Sequence, residues 1–267
     1  MSGVPSRWRV ALVAACVGTA LLAACGTADR SGGRAPDGSG SPSVTGQVTV
    51  FAAASLTEAF TTLGHRFEQQ HPGTTVRFSF GPSSGLAQQV SEGAPADVLA
   101  SADTATMDRV VRQGRAQHAT VFAANELEIA VPAGNPAHIG GLADLARSDV
   151  KVALCQPQVP CGSIAASVLE RAGVTVRPVT LETDVKSVLA KVSLGEVDAG
   201  LVYVTDVRAA GDAVTGIPIP SAKNTSTQYP IAALTDAPNP VTASAFVAYV
   251  LSDAGRSALS AAGFAAP

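Results

Sequence analysis

Short apolar runs that read as strands alternate along this chain with longer segments that read as helices, and this alternation limits the fold more than any other feature. Residues 48–52, 75–80, 97–100, 126–131, 150–154 and 199–204 have the length and the β-branched or alternating character of strands. Residues 56–70, 86–92, 164–172, 184–194 and 243–251 read as helices, with a last one from Gly255. Asp103 sits where an N-cap should open a further helix running to Gln113, while Gly173 and Gly195 stand where helices should stop. Such alternation means an α/β fold with mainly parallel sheets. No period of about 20–50 residues recurs, so the chain is not a solenoid.

The N-terminus sets the compartment. Arg7 and Arg9 precede an apolar run over residues 10–24 that is short for a membrane span and suits the centre of an export signal. The run ends in Leu22-Ala23-Ala24-Cys25, which resembles a bacterial lipobox. That resemblance implies cleavage before Cys25 and lipidation of its thiol, holding the protein to the outer face of the cell membrane. Residues 25–46 are rich in Gly, Ser and Pro without an apolar period, as a flexible tether would be, and a folded body is expected from Gln47. Loss of residues 1–24 removes two Arg and no acid, leaving 16 basic against 21 acidic residues. A mildly acidic body with no Lys/Arg cluster argues against nucleic acid as a partner. The body is long enough for one large domain or for two lobes with separate cores.

Four stretches put small hydroxyl, amide or Gly residues where a helix should begin: Ala54-Ser55-Leu56-Thr57-Glu58, Pro82-Ser83-Ser84-Gly85, Val159-Pro160-Cys161-Gly162-Ser163 and Thr183-Asp184-Val185. A helix start leaves about four N–H groups without partners and carries roughly half a positive charge. Several such ends aimed at one point would hold a compact dianion without a fixed cation. Each stretch also has a plainer reading. Ser55 with Glu58 fits a capping box, Ser83 and Ser84 an ordinary turn, and Val185 and Tyr203 apolar core positions. Asp97 and Asp103 suit turn anchors and a helix cap, and Lys186 would add positive potential near a helix start without touching an ion.

Of the four cysteines, Cys16 leaves with the signal and Cys25 is the lipid site, so Cys155 and Cys161 remain in an oxidising compartment. A disulfide between them is expected. So small a ring contributes about 2 kcal/mol at most, so its use would be to stiffen the loop Gln156-Pro157-Gln158-Val159-Pro160. The alternative, two thiols on a metal, lacks nearby ligands, His138 being the closest histidine.

Val48-Thr49-Val50-Phe51-Ala52-Ala53-Ala54-Ser55-Leu56 is similar to the opening of the periplasmic molybdate-binding proteins of bacterial ABC importers. So are Gly93-Ala94-Pro95-Ala96-Asp97-Val98 with Ser101-Ala102-Asp103, and Gly200-Leu201-Val202-Tyr203. The resemblance implies a type II periplasmic-binding-protein fold, two α/β lobes joined by two hinge-crossing strands. The crossings fall near residues 124–127 and 219–228, which gives lobe one as 47–124 plus 229–267 and lobe two as 125–228. It implies an oxyanion site made by the hydroxyl and N–H of Ser55, the hydroxyls of Ser83 and Tyr203 and the backbone N–H groups of Cys161 and Val185, with Ser84 the nearest alternative to Ser83. Cys161 stands where the family usually has Ala, an exchange that a main-chain contact should tolerate. The implied ligand is molybdate or tungstate, with no cation site and no organic cofactor, and the implied partner is the importer's membrane permease. The protein would be a monomer and not an enzyme.

Two other readings use the same residues. The same fold could carry sulfate, thiosulfate or another small anion. Gly81-Pro82-Ser83-Ser84-Gly85 also matches the nucleophile-elbow pattern, which would make Ser83 the nucleophile of an exported hydrolase. The usual order then demands a late histidine, yet the last one is His138, and Pro82 restricts the turn. Iron binding would need paired Tyr or His, and Tyr229 and Tyr249 are not adjacent in sequence.

Overall fold

The computed structural model describes residues 43–267. The expected export signal, the lipid-bearing Cys25 and the tether up to residue 42 lie outside the described residues. In chain order the first elements are β1 (Gly46–Ala53), α1 (Thr57–Gln70), β2 (Thr74–Gly81), α2 (Ser83–Ser91), β3 (Val98–Ala100), α3 (Thr104–Arg112) and β4 (Thr120–Pro132). There follow β5 (Val152–Cys155), α4 (Pro160–Ala172), β6 (Thr180–Glu182), α5 (Val185–Ser193), β7 (Ala199–Tyr203) and α6 (Val204–Ala210). The last are β8 (Val214–Pro218), β9 (Ser226–Ala233), α7 (Pro240–Leu251) and α8 (Asp253–Ala261).

The strands lie in the order β2-β1-β3-β9-β4-β7-β5-β6, with β8 also on β4. The expectation of mainly parallel sheets holds only at the flanks, where β2, β1 and β3 run together, as do β6, β5 and β7. The centre is antiparallel: β9 opposes β3 and β4, and β7 and β8 oppose β4. The physical reason is the path of the chain. β4 pairs with β9 through Glu126 and with β7 from Leu127 onward, so it passes from one half to the other as a single strand. Whatever returns beside it must run the opposite way. The return crosses on residues 219–225, a turn between β8 and β9 rather than the strand expected there.

Each half has its own core. The first gathers Val48, Val50, Phe60, Phe67, Tyr229 and Phe246 on one face of its sheet, and Phe51, Leu86, Leu99 and Met107 on the other. The second includes Leu127, Ile129, Val152, Val168, Val188 and Leu201. β1 is buried along most of its length, as a strand covered on both faces must be. α1 turns Ala59, Phe60, Leu63 and Phe67 inward, a stripe at helical spacing.

The two aspartates anchor turns. Asp97 accepts the N–H of Thr49 at 2.7 Å and that of Asn239 at 2.6 Å, while Asp103 caps α3 by accepting from Thr106 at 2.8 Å. The carbonyls of Val44 and Thr45 accept bonds from Thr74, Asn239 and Thr242, so the body begins slightly before the expected Gln47. Among the described residues no helix is long and apolar enough to cross a membrane.

Candidate functional site

Segments leaving the carboxyl ends of β1, β2, β5, β6 and β7 meet around one cavity, the place where open α/β sheets bind ligands. Ser55, Ser83, Cys161, Val185 and Tyr203 all line it, so the two halves contribute together. It offers about 20 Å³ to the centre of a water-sized sphere, little more than one water needs, so it suits a compact ligand.

After β1 the chain turns through a short 3-10 segment, Ala54–Leu56, into α1. The capping box expected of Ser55 and Glu58 does not form. Ser55 Oγ instead lies 2.9 Å from Tyr229 Oη, both buried, and Glu58 reaches Lys186 Nζ at 2.8 Å. Ser83 is the first residue of α2, three residues before the helix was expected, and its buried Oγ accepts the N–H of Ala102 at 3.0 Å. With one lone pair so engaged, its proton is free for the cavity. Ser84 lines an adjoining, wider cleft of about 510 Å³ that shares Pro82, Val159 and Thr183 with the cavity.

α4 also starts earlier than expected, because Pro160 suits the first helical position, where its fixed φ is helical and its missing N–H is no loss. The N–H groups of Gly162 and Ser163 both turn back to the Val159 carbonyl at 3.0 Å. Cys161 N–H therefore remains as the uncommitted donor of this turn among the described residues. Cys155 and Cys161 are joined by a disulfide that closes the preceding loop. That loop presses so near that a Cβ on Gly162 would lie 1.9 Å from the Gln156 carbonyl oxygen, so only glycine fits. At α5, Asp184 accepts from Ser187 N at 3.0 Å and Ser187 Oγ at 3.2 Å, turning its carboxylate to the helix and leaving Val185 N–H uncommitted.

Tyr203 ends β7 almost fully buried, and its hydroxyl has no hydrogen-bond partner among the described residues. Burial, with the neighbouring Tyr229, pushes that hydroxyl well above the usual range for tyrosine, so it stays protonated. An orphaned buried donor facing a cavity is what an acceptor-only ligand would satisfy. Behind it, Asp206 accepts the Tyr203 N–H at 3.1 Å and meets Lys186 Nζ at 3.1 Å. Burial raises the Asp206 carboxyl to about 6 even though Lys186 pulls it down. Burial works against the charge on Lys186 too, but Asp206 and Glu58 outweigh it and its pKa is raised. Lys186 itself does not line the cavity.

The sequence reading missed Tyr229 and Asp206. Tyr229 meets Ser55 from 174 residues away, and nothing in its apolar strand marks it. The nucleophile-elbow pattern finds no partner, since none of the four histidines lines the cavity. Among the described residues no three His, Cys, Asp or Glu side chains cluster as a cation site.

Residues 48–265 match the family model of bacterial extracellular solute-binding protein. The chain is 44% identical to the molybdate-binding protein ModA of Mycobacterium tuberculosis over 92% of its own length and 93% of that protein. Among solved structures it is similar to the periplasmic molybdate-binding protein of Azotobacter vinelandii, with TM-score 0.74 at 21% identity over 82% of this chain and 99% of that one. It is also similar to the sulfate-binding protein SubI of Mycobacterium tuberculosis, with TM-score 0.71 at 20% identity over 82% and 86%.

Proposed function

The chain belongs to the bacterial extracellular solute-binding proteins, and from that premise we propose that it captures molybdate or tungstate and delivers the ion to the permease of an ABC importer. It has the two-lobed α/β fold of periplasmic binding proteins, in a family whose role is extracytoplasmic binding rather than catalysis. The proposed lobes are 47–124 with 229–267, and 125–228, closing on the ion like a hinge. Lipidation at Cys25 keeps the monomer at the outer face of the membrane.

The observation that supports this reading is the small cavity and the polarity of its walls. Ser55, Ser83, Thr183 and Tyr203 bring hydroxyls to its lining and the starts of α4 and α5 bring N–H groups, the Asp184 carboxylate is turned to its own helix, and among the described residues no Lys or Arg lines it. A tetrahedral dianion offers only acceptors, and in this reading Ser55, Ser83, Tyr203, Cys161 and Val185 each donate to it. Hydrogen bonds to a charged group contribute about 1.5–3 kcal/mol each, so a full set offsets the loss of the ion's hydration. The relative from Mycobacterium tuberculosis, named for molybdate, supports the choice of cargo at 44% identity.

Calorimetric titration of the purified protein with molybdate, tungstate, sulfate and phosphate tests the reading. The expected result is tight one-to-one binding of the first two, with sulfate at least about a hundredfold weaker, a difference of about 2.7 kcal/mol. Sulfate binding as tightly as molybdate would move the cargo, and no binding of any of the four would end the oxyanion reading.

A further inference from the structure

A serine hydroxyl is ambivalent, since it donates one proton and also accepts. A site for fully deprotonated oxyanions has to remove that choice. For Ser83 the main chain biases it, because Ala102 N–H takes one lone pair of its oxygen at 3.0 Å and leaves the proton to point elsewhere. For Ser55 the neighbouring group is Tyr229 Oη, 2.9 Å away and fully buried. Tyr229 does not line the cavity. Its ring is held edge-on by Tyr203, Phe122 and Phe264, with centroids 6.0, 6.3 and 5.3 Å away, which leaves its hydroxyl little freedom. Asn125, two residues along the paired strand from the partner of Tyr229, has its Oδ1 engaged by Glu126 N–H and its Nδ2 by Thr205. Ser55 Oγ is the hydroxyl within hydrogen-bond distance of Tyr229 Oη, and the geometry lets either oxygen donate to the other.

We infer that Tyr229 is a positioning residue that sets selectivity: by donating to Ser55 Oγ it keeps the Ser55 proton off itself and available to the cavity. The inference rests on the oxyanion reading above and adds to it a gate against protonated anions. A hydrogen phosphate brings a proton that needs an acceptor, and with Tyr229 and Ala102 each holding one lone pair, both serines are turned to present their protons to the ion instead. Without the Tyr229 hydroxyl, Ser55 can turn round and accept. Burial raises the Tyr229 pKa, so the hydroxyl keeps its proton.

The test is Tyr229→Phe, which removes one oxygen and keeps the ring contacts. Affinities for molybdate, sulfate and phosphate are measured at neutral pH, the weaker two by competition against molybdate. Sulfate and phosphate are close in size, but only phosphate carries a proton there, so their ratio isolates the gate from the fit. The expected result is weaker molybdate and sulfate binding with phosphate unchanged or tighter, so that the sulfate-to-phosphate ratio falls about tenfold. In a Ser55→Ala background the same change should leave the ratio where it is, because the group that turns round is gone. Equal weakening of all three anions would make Tyr229 a purely structural support and overturn the inference. So would a ratio that shifts equally in the Ser55→Ala background. Wild-type protein that binds none of the three would sink the oxyanion reading itself. Wild type that binds molybdate, with an unchanged ratio in the variant, would sink the inference alone.

Discussion

The two lobes meet the cavity with different chemistry. The first brings side-chain hydroxyls, Ser55 with Tyr229 Oη 2.9 Å behind it and Ser83 accepting the N–H of Ala102 at 3.0 Å. The second brings main-chain N–H groups at the starts of α4 and α5, and adds one hydroxyl from Tyr203. A side-chain donor demands a residue type. A main-chain donor demands only a backbone path, and any side chain that leaves the path intact will serve. On the proposed reading, Cys161 can therefore stand where the resembling family has Ala, and Val185 needs no polar group.

The sharpest way to break this contrast is to disturb the path without touching a donor. Gly162 faces the Gln156 carbonyl, whose oxygen and carbon would lie 1.9 and 2.5 Å from an added Cβ. Backbone cannot yield as the end of a side chain does, so Gly162→Val should cost about 3 kcal/mol of stability or more and displace the start of α4. Thermal unfolding should show the first effect, and titration with molybdate the second, as a loss of at least about a hundredfold in affinity. Wild-type affinity in this variant would mean that the α4 start is not part of the site.

A smaller effect is expected where the second lobe uses a side chain. Tyr203→Phe removes a buried hydroxyl that has no partner among the described residues. The unliganded protein should lose no stability, because an unsatisfied donor costs rather than contributes. Binding should weaken by about 1.5–3 kcal/mol, the usual range for a hydrogen bond to a charged group. The two measurements are separable: melting temperature without ligand should hold or rise, while the rise on adding molybdate shrinks. A fall in the unliganded melting temperature would place the hydroxyl in the architecture instead.

The same contrast explains what could be read from the chain. Ser55 and Ser83 stand in strand-to-helix transitions whose residue types announce a helix start, and the alternation that gave the α/β class put both at strand ends. Cys155 and Cys161 were paired by compartment and count. The α4 and α5 starts were legible through Pro160 and Asp184, although helix bounds shifted by up to four residues where proline entered the first turn. Tyr229 and Asp206 were not legible. Each lies in or beside an apolar strand, and each acquires its role only through a partner the fold supplies, Ser55 for one and Lys186 for the other. The antiparallel centre escaped for a related reason. Local periodicity reports a strand, but its direction beside β4 depends on where the chain crosses between halves.

The smallest effect belongs to a contact that joins the two lobes outside the cavity. Lys186, one residue into α5, reaches both carboxylate oxygens of Glu58 on α1 at 2.8 and 2.9 Å, and Asp206 behind it at 3.1 Å. The Glu58 bond spans the lobes, so in a hinge mechanism it exists only when they are together, whereas the Asp206 bond stays within the second lobe. Half of the Glu58 side chain is exposed, which limits such a pair to about 0.5–1 kcal/mol. Glu58→Gln should therefore weaken molybdate binding only about two- to fivefold, through faster release, with the unliganded melting temperature nearly unchanged. Salt gives the diagnostic: raising ionic strength should narrow the gap between wild type and variant, because it screens the exposed pair. If the variant releases the ion no faster than wild type in low salt, the contact holds nothing shut, and closure rests on the donors around the ion alone.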